Sequence, residues 1–126
     1  MEDNIFFDCE KLYRAVFPQS RVQMFWEKDG TISSAALADK NGLSVERGDF
    51  REDIKVIEDM QKFFNGCIVS LKNVEQCRSV NAIVKYKPSQ RSKYHSEIHG
   101  SENTPLLSKS QRKKLAEVAK MEYYEN

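Results

Sequence analysis

The sequence predicts an α+β domain, a mixed or antiparallel sheet of about five strands carrying two main helices. Three observations lead there. Short runs rich in aromatic and β-branched residues end at proline or at Asn-Gly and Asp-Gly pairs, and one segment from Asp49 to Phe64 has clear helical periodicity. Strands and helices also alternate too irregularly for a doubly wound parallel sheet. At 126 residues and 40% apolar content the chain is long enough for one core, so one domain spanning residues 1–126 is expected.

Lys11 to Phe17 reads as a strand closed by Pro18. Val22 to Glu27 reads as a second strand that ends at the Asp29-Gly30 turn and pairs with the first. Thr31 to Ala38, with Ser33, Ser34, Ala35 and Ala36, suits a short helix or a tightly packed loop, and Asn41-Gly42 turns the chain into a short strand, Leu43 to Glu46. The first main helix is expected to start at Asp49, with Glu52 completing a capping-box pattern and Phe50, Ile54, Ile57, Met60 and Phe64 on its inner face. Asn65-Gly66 stops it.

Cys67 to Leu71 reads as a buried strand, Val74 to Val80 as a short helical connection, and Asn81 to Lys87 as a strand ended by Pro88. After a basic loop, Tyr94 to His99 forms the next strand. Ser108, with Gln111 three residues on, opens the last helix, whose apolar face is Leu115, Val118 and Ala119 and whose basic stripe is Lys109, Arg112, Lys113 and Lys120.

Charge is unevenly placed: residues 1–84 carry a net of −3 and residues 85–120 a net of +6. A local basic patch favours an anionic partner, whereas a total of +1 disfavours a sequence-independent nucleic-acid coat. No apolar run approaches bilayer length and Met1-Glu2-Asp3-Asn4 is acidic where a secretory signal is basic, so no membrane partner and a cytoplasmic location are expected. Three widely spaced cysteines, Cys9, Cys67 and Cys77, fit reduced side chains better than a disulfide framework or a structural zinc site.

The densest chemistry is His95-Ser96-Glu97-Ile98-His99, in which a strand would place His95, Glu97 and His99 on one face. Their spacing of roughly 6.6–7 Å along the strand makes a shared metal hard to close. Proton transfer by His95 and Glu97 is less demanding, and a solvated polar face is the plain alternative. Arg14 interrupts an apolar strand and shares a face with Leu12 and Val16. A guanidinium there needs an anionic or carbonyl partner, either a ligand phosphate or a group of this chain, unless it reaches water from an edge. Ser33 and Ser34 can offer hydroxyls to a phosphate or sugar, but no Gly-x-Ser-x-Gly elbow, P-loop or dinucleotide fingerprint is present.

The order Leu12-Tyr13-Arg14, Asp29-Gly30-Thr31-Ile32-Ser33-Ser34, Leu43-Ser44-Val45, His95 to Gly100 and a Ser-initiated last helix resembles a widespread group of small, functionally uncharacterised prokaryotic and phage-type proteins. That resemblance implies a bacterial or phage setting, with stress, toxin or phage-conflict biology, and no particular reaction. More loosely, Arg14, then Ser33 or Ser34, then Glu97 follows the Arg, Ser, Glu order that ADP-ribosyltransferase folds carry on successive strands. The chain departs from that pattern in lacking a Ser-Thr-Ser run and in having His95 two residues before Glu97.

The expected function is therefore a small binding or accessory protein that recognises a protein or an anionic, nucleotide-like molecule, or a second copy of itself, without a cofactor. Arg14, Ser33, Ser34, Lys109, Arg112 and Lys113 are its candidate ligand-binding residues. The alternative is an enzyme acting on a nucleotide such as NAD, or with a divalent metal, through catalytic His95 and Glu97.

Overall fold

A computed structural model describes residues 5–125; the acidic start Met1–Asn4 and Asn126 lie outside the described residues. Six strands, β1 (Leu12–Val16), β2 (Leu43–Arg47), β3 (Cys67–Ser70), β4 (Ile83–Tyr86), β5 (His95–His99) and β6 (Lys120–Tyr123), form one sheet in the order β4-β5-β2-β1-β3-β6. Every pairing is antiparallel. Three helices, α1 (Asp53–Gln61), α2 (Val74–Ser79) and α3 (Lys109–Glu117), complete the α+β fold, α1 and α3 being the main ones. None is long and apolar enough to cross a membrane among the described residues.

The period-two alternation of the strands divides the core between the two faces of the sheet. Leu12, Val16, Leu43, Val45, Val69 and Ile98 face one side, where Leu37, Leu107 and Leu115 close over them. Tyr13 and Ile68 face the other, covered by Val56, Ile57 and Met60 of α1. Each fully buried Leu or Ile in these layers contributes about 1.5–3 kcal/mol of transfer free energy. Ser108 caps α3 through a reciprocal box: its hydroxyl accepts from the Gln111 amide N–H, and the Gln111 side-chain carbonyl accepts from the Ser108 amide. The Gln111 side-chain amide then donates to the carbonyls of Val80 and Gly100, tying the helix start to the ends of α2 and β5.

Four local expectations are corrected. Val22 to Glu27 is not a strand: Gln23–Phe25 is a 3-10 turn, and only Trp26 pairs, in an isolated bridge with Ile32 around the Asp29-Gly30 turn. The reason is that both edges of β1 are occupied by β2 and β3, which leaves a hairpin partner no free ladder. The first helix starts at Asp53 rather than Asp49, because Asp49 and Phe50 adopt left-handed conformations at φ 50° and 63° and the Asp49 amide donates to Glu10 instead. Phe50 and Ile54 are consequently exposed and not on the inner face. Finally, Lys120 begins β6 and so does not extend the α3 stripe, and this sixth strand arises because the outer edge of β3 is open to Met121 and Tyr123.

Candidate functional site

β1 is central in the sheet, yet its two sides are unequally paired. Against β3 it pairs over four residues, from Tyr13↔Ser70 to Val16↔Cys67. Against β2 the register stops after Leu12↔Arg47 and Tyr13↔Glu46. Backbone groups in antiparallel strands alternate sides: the Lys11 carbonyl accepts from Gly48 on the β2 side and the Leu12 carbonyl from Leu71 on the β3 side. Tyr13 and Ala15 therefore turn toward β2, and beyond Tyr13 the two strands part. The Ser44 carbonyl, which the next rung would use, accepts instead from Arg14 Nη1 at 3.0 Å.

The parting opens a cleft of about 290 Å³ that reaches both layers of the protein. Phe25 and Ala36 approach from the layer of the larger core, Met60 and Phe63 from the end of α1, and Phe17 and Phe64, in ring contact at 5.5 Å, lie along it. Of the two cations along these walls, Arg91 lies over the Phe63 ring at 5.6 Å, and the other is Arg14. Its Nε is buried without a hydrogen-bond partner, and among the described residues it makes no ion pair. Burial pulls its pKa below the usual guanidinium value, with the charge of Asp39 only partly opposing. Glu46 also lines the cleft, and burial raises its carboxyl above the ordinary range despite a 2.8 Å hydrogen bond from Ser92 and the proximity of Arg51.

The histidine strand contributes one side chain here. His95 lines the cleft, and its Nδ1 lies 2.7 Å from the Lys87 carbonyl. A carbonyl only accepts, so Nδ1 carries the hydrogen and Nε2 is left as the acceptor of the neutral ring. Glu97 and His99 share the predicted face with His95 but belong to a different contact: Glu97 Oε1 and His99 Nε2 are 2.9 Å apart. His99 is buried rather than solvated, packed under Gly42, where φ is +105° and an added Cβ would lie 2.6 Å from His99 Nε2. Among the described residues no group of three His, Cys, Asp or Glu side chains is arranged to hold a metal ion.

The other candidates lie elsewhere. Ser33 and Ser34 line a second, wider groove together with Lys109 and Lys113. Ser33 donates its hydroxyl to the Met24 carbonyl at 2.6 Å, and Ser34 opens the 3-10 turn Ser34–Leu37. Glu27, Asp29 and Glu117 balance the lysines of this groove, leaving little field for an anion. Arg112 turns away from it and donates to the Leu107 carbonyl at 2.7 Å. Arg14 and His95 thus line one cleft from opposite faces of the sheet, Ser33 and Ser34 share a groove with Lys109 and Lys113, and Glu97 pairs with His99. Glu46 and the aromatic walls were not among the expected site residues. Phe63 and Phe64 read as the apolar end of a helix, and nothing in a single sequence shows where two strands part.

Comparison with protein-family models, with curated proteins and with solved structures finds no match for this chain.

Proposed function

We propose that the chain is a binding protein for a small anionic molecule with an apolar body, held in the cleft between β1 and β2. The carrying observation is Arg14, a guanidinium inside an aromatic-walled cleft with one carbonyl bond, a buried unpartnered Nε and, among the described residues, no ion pair. Leaving a buried polar donor unmatched costs about 1–3 kcal/mol, more for a charged group, and a ligand anion is the group that relieves it. Binding is favoured over nucleotide chemistry because Ser34 and Glu97, required by the enzymatic alternative, stand outside the cleft.

Thermal-shift and calorimetric titration with a panel of anions (inorganic phosphate, AMP, ADP-ribose, NAD, and aliphatic and aromatic carboxylates) tests this. At least one is expected to raise the melting temperature of the native chain and to lose that effect in Arg14→Met. A panel in which nothing binds, or in which Arg14→Met binds as well as the native chain, would overturn the proposal.

A further inference from the structure

Resting on that reading, we infer that the ligand of the cleft is an aromatic monocarboxylate, a single flat ring system carrying one carboxylate, and not a phosphorylated nucleotide. Four features of the same cleft converge on this class. The first is charge. Arg14 and Arg91 are the cations along the walls, and Glu46, only 3% exposed, is the acidic side chain among them, a net of one positive charge. A phosphomonoester brings about −1.5 to −2 charges, more than that net single positive charge balances, whereas one carboxylate matches it.

The second is the geometry of the guanidinium. With Nη1 engaged by the Ser44 carbonyl, Nε remains on the edge that pairs with the two oxygens of a planar carboxylate. The third is the backbone. Phosphate sites draw on helix N-termini and glycine-rich turns, but no glycine lines this cleft, and Met60 and Phe63 lie in and just past the carboxyl end of α1, where the helix dipole is negative. The fourth is size and surface. At about 290 Å³ the cleft sits at the lower limit of small-molecule pockets, roughly 300–1,000 Å³, which is short of what a dinucleotide fills. Phe17, Phe25, Phe63 and Phe64 supply faces and edges suited to a ring.

The test is isothermal titration of the native chain with 3-phenylpropanoate and indole-3-acetate, with the corresponding neutral amides, with AMP, and with a short peptide ending in phenylalanine. The acids are expected to bind at least about tenfold more tightly than their amides and than AMP. Arg14→Met should remove that preference and Arg14→Lys should restore only part of it, with circular dichroism confirming that both variants fold. Arg14-dependent binding of AMP without binding of the acids overturns this inference and leaves the anion-binding proposal standing. Tighter binding of the peptide than of the free acids also overturns it, in favour of a chain terminus. Failure of every anion to bind in an Arg14-dependent way overturns both.

Discussion

Two arginines on the neighbouring central strands β1 and β2 have opposite surroundings. Arg47, opposite Leu12 in the register, is bound through Nε and Nη2 to both oxygens of Glu10 at 2.7 and 2.8 Å. It donates to the Ile5 carbonyl as well, and its guanidinium lies 4.0 Å from the Phe6 ring centre. Arg14, on the neighbouring strand, has one carbonyl and an orphan Nε. Both are cations in a sheet interior, so burial alone does not separate a structural arginine from a binding one. What separates them is whether a carboxylate pairs with the guanidinium among the described residues: Glu10 does so where β1 and β2 are paired, and Arg14, where they part, has no such pair.

The contrast is tested most strongly at Glu10. Replacing Glu10 by Ala leaves a guanidinium with only 3% side-chain exposure without its counter-charge. Breaking a buried pair from one side typically costs about 3–5 kcal/mol, and urea denaturation of Glu10→Ala should show a loss of that order. A loss below about 1 kcal/mol would mean that Arg47 does not depend on its pair, and the two arginines would no longer differ in kind.

A smaller effect is expected at Arg14. Arg14→Met removes a desolvated charge and leaves only the Ser44 carbonyl without its donor, so the two changes nearly cancel. Stability should stay within about 1 kcal/mol of the native chain, with an unchanged denaturant slope. Destabilisation as large as that of Glu10→Ala would place Arg14 in the fold's own support and weaken its assignment to a ligand.

The same contrast explains how much the sequence disclosed. Arg14 stood out because a charge interrupted Leu12, Ala15 and Val16, and the α3 cap was readable because Ser108 and Gln111 have the spacing that closes a capping box. The face shared by His95, Glu97 and His99 also followed from strand alternation, and Ser96 and Ile98 are indeed fully buried on the other side. The cleft was not readable, since it depends on where the β1–β2 register ends, a relation between residues some 30 positions apart. Nor was the left-handed turn at Asp49 and Phe50, because local spacing favoured a helix while Glu10, distant in sequence, captured the Asp49 amide. Lys120 to Tyr123, which also escaped notice, is a strand by virtue of the edge it meets, and its charged, short sequence carries no strand signal of its own.

The smallest effect belongs to a third cation of the same strand region, Lys11, which is paired but near the surface. It donates to Asp53 at 2.8 Å and to Glu122 at 3.2 Å, and Tyr13 donates to the same Asp53 carboxylate. The Lys11 hydrogen bond, followed by that of Tyr13, holds the Asp53 carboxyl below its usual 3.8. A carboxyl whose folded pKa is depressed binds its proton less readily in the folded chain than in the unfolded one. Its stabilisation is therefore complete above the ordinary value and is lost as pH falls from about 4 through the lower folded value. With 45% of the Asp53 side chain exposed, solvent screening keeps that contribution under about 1 kcal/mol. Asp53→Asn should accordingly flatten the acid limb of a stability-against-pH curve below about pH 4 and leave the neutral region within about 1 kcal/mol of the native chain. If Asp53→Asn instead matched the loss in Glu10→Ala at neutral pH, pairing alone would set the energy. Burial of the paired cation would then have no part in distinguishing Arg47 from Lys11, and the unpartnered Arg14 Nε would lose its energetic meaning.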